Sequence, residues 1–188
     1  MFWTQRDADN PSVAVATAYM DGSGYRVLRK KGTDSPGGIA IDFKTERVFW
    51  VDSTRGFIGS MDLNGYSYTQ FELKNRDYFP QLISLHSNGL YLTGDRSNGN
   101  ASVVFFKNHK DRENLVLKLS STIITSFTVY SSISQSSYGR QKDCKNHSCP
   151  GICLLSGFSF RCVCPVGAKS ENNGTTCQAG QSMAFQRR

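Results

Sequence analysis

Cysteine is missing from the first 143 residues of this 188-residue chain, so neither a disulfide framework nor a thiolate metal site can organise that stretch. Histidine and proline are also scarce, at three and five residues. The histidines His86, His109 and His147 belong to no HExxH signature, and the chain has no GxSxG or phosphate-loop sequence. Paired carboxylates in a recognisable catalytic spacing are absent as well, so an enzyme is not expected and no catalytic residue is named. No apolar run approaches the roughly 18 residues of a membrane-spanning helix; the longest, at 102–106 and 123–127, are the size of strands. No segment shows the 3.6-residue period of an amphipathic helix, which excludes a helical bundle or helical solenoid. The chain opens Met-Phe-Trp-Thr, without the charged start, apolar core and cleavage site of a signal peptide.

What is present in the first 130 residues is an internal repeat. Phe2-Trp3-Thr4-Gln5 recurs as Phe49-Trp50-Val51-Asp52 and, more weakly, as Tyr91-Leu92-Thr93-Gly94. Around these leaders, Met20-Asp21-Gly22-Ser23-Gly24-Tyr25 aligns with Met61-Asp62-Leu63-Asn64-Gly65-Tyr66. Residues 38–42 align loosely with 81–85, each after a proline. Within the second unit, short alternating runs at 38–42, 47–52, 57–62 and 68–73 are separated by turn residues, and Asn64-Gly65 is a strong hairpin signal. Four strands in a period of about 40–45 residues is the size of a β-propeller blade.

These residues resemble the YWTD repeats of the low-density-lipoprotein-receptor family, whose members form a six-bladed propeller followed directly by an EGF-like module. The repeat residues that carry the resemblance are Phe2, Trp3, Thr4, Phe49, Trp50, Asp52, Tyr91 and Thr93. Gln5 replaces the final Asp of the first unit, and the third unit keeps only an aromatic and a Thr. The resemblance implies that residues 122–130 form one more strand, the innermost of the blade that closes the ring. The expected fold is therefore all-β: the C-terminal half of a propeller, about three blades, over residues 1–133. Such a half would expose apolar blade faces and strand edges, so the isolated chain is expected to be poorly stable.

The six cysteines, Cys144, Cys149, Cys153, Cys162, Cys164 and Cys177, are spaced C-x4-C-x3-C-x8-C-x-C-x12-C. Zinc pairs of C-x2-C type are absent, and a block this dense reads as a disulfide framework in an oxidising compartment. Spacing alone leaves fifteen pairings open. The run from Gly157 to Gly167, with Phe160 two residues before Cys162, resembles an EGF-like module. That resemblance implies Cys144–Cys153, Cys149–Cys162 and Cys164–Cys177. Calcium-binding modules carry acidic and amide residues before the first cysteine, where this chain has Lys142-Asp143, and Asp or Asn where it has Leu155. No calcium or other metal site, and no cofactor, is expected. Sequons at Asn100, Asn146 and Asn173 agree with secretion.

The domain reading is a partial propeller at 1–133, a linker at 134–143, the EGF-like module at 144–177 and a tail, or the start of a further module, at 178–188. A disulfide-dependent module without an export signal implies a partial chain. The functional expectation is a non-enzymatic piece of an endocytic or signalling receptor of the low-density-lipoprotein-receptor family. It would lie on the extracellular side of the plasma membrane or in the endosomal lumen, within a membrane-anchored parent. It would bind protein ligands and, by implication of the family, release them in acid. Two alternatives are a basement-membrane protein of nidogen type with a laminin-like partner and, more remotely, a calcium-dependent propeller hydrolase. The net charge of +7 favours anionic partners such as acidic repeats of the same receptor or sulfated glycans. Disulfides argue against nucleic acid. No motif singles out ligand-binding residues.

Overall fold

A computed structural model describes residues 1–6, 13–30, 32–74, 77–86, 89–107, 114–120, 123–129, 149, 151–156, 159–165, 167–172 and 176–179. They form fifteen strands and no α-helix. The chain divides into two compact units. The larger takes Phe2–Ala16 and the described residues from Val27 to Val129; the smaller takes Met1, Thr17–Arg26 and the described residues from Cys149 onward.

Three antiparallel sheets follow the three repeats. The first has the order β1 (Phe2–Arg6), β2 (Val13–Thr17), β3 (Arg26–Arg29). The second is β4 (Pro36–Asp42), β5 (Arg47–Asp52), β6 (Phe57–Asp62), β7 (Thr69–Glu72), within two residues of the boundaries its turn signals indicate. The third is β8 (Tyr78–His86), β9 (Gly89–Arg96), β10 (Ala101–Lys107), β11 (Asn114–Leu119). Consecutive strands pair throughout, as hairpin turns of a few residues require. In each full sheet the motif strand is second, β5 or β9, and most of it is buried, at Val48–Asp52 in β5 and at Gly89, Leu90 and 92–94 in β9.

The middle sheet shows why that strand is apolar without alternation. Phe49 and Val51 point into one cluster with Ile58, Tyr78, Ile83, Leu90, Leu92, Val104 and Phe106. Val48 and Trp50 point the other way, into a cluster with Val15 and Met61, and Phe2, Leu28, Ile39 and Ile41 pack against it. A sheet sandwiched between two others loses its solvent face, so both registers of β5 become core.

The sheets come close at their first strands. A Cβ on Gly37 would sit 2.4 Å from the Gln81 carbonyl oxygen, and one on Gly38 2.7 Å from Leu82 Cα. Two adjacent glycines thus let β4 and β8 approach backbone to backbone. Thr4 adds a bond across the other pair of sheets, its hydroxyl donating to the Gly37 carbonyl at 2.9 Å.

One expectation fails. Residues 123–129 carry no strand. Among the described residues, Phe127 lies 6.5 Å from Tyr91, and the Val129 amide donates to Ser84 Oγ at 3.0 Å. β-Branched composition is a local preference that a strand realises only when a neighbouring edge takes up its ladder, and this segment joins no ladder.

The smaller unit contains the hairpin β12 (Ile152–Ser156) with β13 (Ser159–Val163) and the hairpin β14 (Ala168–Glu171) with β15 (Thr176–Ala179). Disulfides join Cys149 to Cys162 and Cys164 to Cys177, with Cα–Cα distances of 5.6 and 5.4 Å. Cys153 is also bridged; Cys144, its partner by family resemblance, lies outside the described residues. Each bridge closing a loop of this size contributes about 3 kcal/mol through the unfolded chain, which a module with so few buried side chains requires.

Replacing Gly38 by Ala forces β4 and β8 apart and should destabilise the larger unit by about 1–3 kcal/mol, read as a lower denaturant midpoint. An unchanged midpoint would mean that the close approach is not a constraint.

Candidate functional site

The final Asp of the motif survives only in the second repeat, and there it organises a loop cluster. The Asp52 side chain is fully buried. Its Oδ2 accepts the amides of Asp34 and Ser35 at 2.7 and 3.1 Å, and its Oδ1 accepts the Arg55 amide at 3.0 Å. One carboxylate thereby ties the connection entering β4 to the turn leaving β5. The Gly56 amide closes that turn on the Asp52 carbonyl at 2.9 Å, and the Ser53 amide donates to the Ser35 carbonyl at 3.0 Å. Arg55 then folds back to an ion pair with Asp34, which raises its pKa above the ordinary value.

Beside this turn is an open cavity of about 330 Å³. Its walls are Ser53–Gly56 from the turn, Glu72 and Leu73 from the end of β7, and Tyr78 and Phe79 from the start of β8. Tyr78 is buried, and its hydroxyl donates to the Ser102 carbonyl at 3.4 Å. Phe79 is 42% exposed. The cavity thus combines a fixed polar turn, a half-open aromatic ring and the carboxylate of Glu72. It offers recognition surface and no nucleophile–base pair.

The other repeats cannot build this arrangement. Gln5 accepts a hydrogen bond from the Trp3 indole at 2.9 Å. At the third repeat the position is Gly94, where a Cβ would meet the Phe79 carbonyl oxygen at 2.2 Å; no side chain fits there. Thr93 is fully buried and its hydroxyl has no partner among the described residues, unlike Thr4. Phe2, Phe49, Trp50 and Tyr91 are packing residues: Trp50 stacks on Tyr68 at 5.9 Å, and the Arg29 guanidinium lies 3.4 Å over the same Tyr68 ring.

Asp42, the one acid on the innermost strands at 38–42 and 81–85, caps its own turn by accepting the Lys44 amide at 2.9 Å and the Thr45 hydroxyl at 2.6 Å. No group of potential metal ligands occurs among the described residues. Asn100 ends the β9–β10 turn, its amide donating to Asn98 Oδ1 at 3.2 Å. Asn146 and Asn173 lie outside the described residues, as do His109 and His147.

In the smaller unit, the turn holding Asp21 lies on the β12–β13 hairpin. The Met20 amide donates to the Leu155 carbonyl at 3.1 Å, Ser23 Oγ is 3.2 Å from Ser156 Oγ, and Arg161 is 4.0 Å from Asp21. Hydrogen bonds from Ser23 and Ser156, aided by Arg161, bring the Asp21 carboxyl down to about 2.

No protein-family model matches the chain. Among curated proteins it is similar to Protein cueball of Drosophila willistoni, 30% identical over 96 residues, which is 50% of this chain and 14% of that protein. It is also similar to the vitellogenin receptor of Solenopsis invicta, 26% identical over 165 residues, 87% of this chain and 9% of that receptor. The chain therefore spans a small part of the length of either relative. Among solved structures it resembles a chain of a nidogen/laminin complex, with a TM-score of 0.51 and 21% identity over 63% of this chain and 41% of that one. At that identity the likeness is one of fold: a partial YWTD-type propeller, here with a disulfide-rich module.

Two outcomes test these contacts. Asp52→Asn turns an acceptor toward backbone donors into an amide donor and should cost roughly 2–4 kcal/mol, measured by chemical denaturation. For Asp21 the folded value lies below the unfolded 3.8, so its contribution is complete above about pH 4 and fades as pH falls toward 2. The protection factors of amides in residues 18–25, exchange being referred to the intrinsic rate at each pH, should therefore fall over that interval, and Asp21→Asn should remove that fall; an identical acid response in the variant would discard the assignment.

Proposed function

We propose that this YWTD-like domain of the low-density-lipoprotein-receptor family is a non-enzymatic extracellular binding segment of an endocytic or signalling receptor. The observation that carries the reading is the vitellogenin-receptor similarity, because it runs over 87% of the chain and so takes in both the repeats and the cysteine module. Cueball supports only part of that span. The bridged cysteines favour an oxidising compartment. The propeller supplies a rigid scaffold whose loop face carries recognition, and the disulfide module acts as a compact spacer.

Acid-dependent release belongs to this reading as its finer part. Asp21 and Asp62, the latter held down first by the Tyr66 amide, both lie below the ordinary carboxylate range. They stay ionised between neutral and endosomal pH, so a release step in that interval falls to histidine. Glycans on Asn100, Asn146 or Asn173 and the Cys144–Cys153 bridge complete the extracellular reading. The nidogen-type alternative draws on the fold likeness to the nidogen/laminin complex.

Expression of the full-length protein with a C-terminal tag separates the two. A receptor is labelled by a membrane-impermeant reagent at the cell surface and moves into endosomes on warming. Recovery of the protein only in the medium or in deposited matrix would overturn the receptor reading in favour of the matrix one.

A further inference from the structure

We propose that the cleft beside the Ser53–Gly56 turn takes a lysine or arginine side chain from an extracellular polypeptide. The aliphatic stem would lie against Phe79 and Leu73, and the cationic head would meet Glu72. This rests on the reading of the domain as a protein-binding segment and gives it a site.

Charge decides the sign of the ligand. Among the described residues Arg55 is the cation in the cavity wall, and it is already held by Asp34, with the buried Asp52 beside it. That pairing offsets its charge. The Glu72 carboxylate has no hydrogen-bond or ion-pair partner among the described residues. Among the described lining residues Arg55 and Glu72 carry the charges, and with Arg55 offset by Asp34 the charge left facing the cavity is that of Glu72, although the chain as a whole carries +7. The basic clusters at 29–31, 107–112 and the final arginines supply that excess.

Shape decides the rest. An aromatic ring that is 42% exposed next to buried Leu73 and Tyr78 offers an apolar wall without closing the cleft. Long basic side chains suit such a place, because the stem covers apolar surface while the head stays wet. Arginine or lysine over a phenylalanine face gains a further cation–π attraction. The opposite wall is held by the three amides on Asp52, so little loop ordering is lost on binding. Only the second repeat supplies that rigid wall.

The test uses the full 188-residue chain, isotope-labelled and titrated with N-acetyl-L-lysine amide, the arginine amide, the norleucine amide and the glutamate amide. A single side chain of this size should bind with Kd on the order of millimolar. Saturable shifts at Thr54, Leu73 and Phe79 are expected with lysine and arginine amides, weaker ones with norleucine and none with glutamate. Glu72→Gln should weaken the lysine response about threefold or more while leaving norleucine unchanged, and Phe79→Ala should weaken both. Preference for glutamate amide, or no saturable shift at these residues, overturns the assignment. Should a variant fail to fold, the lysine-against-glutamate comparison in the unaltered chain still decides it. Failure here with normal surface uptake of the full-length protein would leave the receptor reading standing.

Discussion

A single buried carboxylate, that of Asp52, holds together two loops that the strand ladders do not reach. Removing a charge from water is costly unless its lone pairs are occupied, and here three backbone amides occupy them. The exchange works in both directions. The amides of Asp34, Ser35 and Arg55 would otherwise be left unpaired near the ends of β4 and β5, and the carboxylate would otherwise be desolvated without compensation. The connection between the first and second sheets and the wall of the cleft therefore share one cause.

The same position explains why the repeats diverge. In the first, Gln5 keeps an oxygen and turns it to the Trp3 indole. In the third, the Phe79 carbonyl occupies the space of a Cβ, so only glycine fits at residue 94. Divergence from the motif is thus no sign of a decayed blade. Each sheet has satisfied its own second strand differently, and the second alone kept the arrangement that makes a rigid loop face.

Charge behaves differently at two scales. The composition is basic, yet Arg55, the cation among the described residues that line the cleft beside Asp52, is offset locally by Asp34. Long-range attraction follows the net charge, while the residue that docks follows the near field, since screening over about 8–10 Å separates the two. A partner can be drawn by the basic clusters and still present a basic side chain to the cleft.

Much of the fold was legible in order along the chain. The aromatic leaders at Phe2, Phe49 and Tyr91 sit on equivalent strands, and the turns at 43–46, 53–56 and Asn64-Gly65 bound strands where the alternation stops, because hairpin pairing is local. The cysteine block marked out the module for the same reason: its bridges close loops of thirteen residues. Residues 123–129 were misread as a strand, since β-branched composition says nothing about whether a free edge is available. The cleft was not legible either. Thr54 and Arg55 lie in one turn, Glu72 on β7 and Phe79 on β8, and no spacing links the three places. What the sequence by itself determined is the repeat, its strand count and the disulfide-rich module, all of which depend on neighbours within one hairpin or loop. What only the tertiary structure decided is which faces of those sheets are buried twice, where β4 and β8 touch at Gly37 and Gly38, and that one carboxylate joins two distant loops. Those depend on surfaces meeting across sheets, and a one-dimensional pattern carries the period of each surface but not its partner.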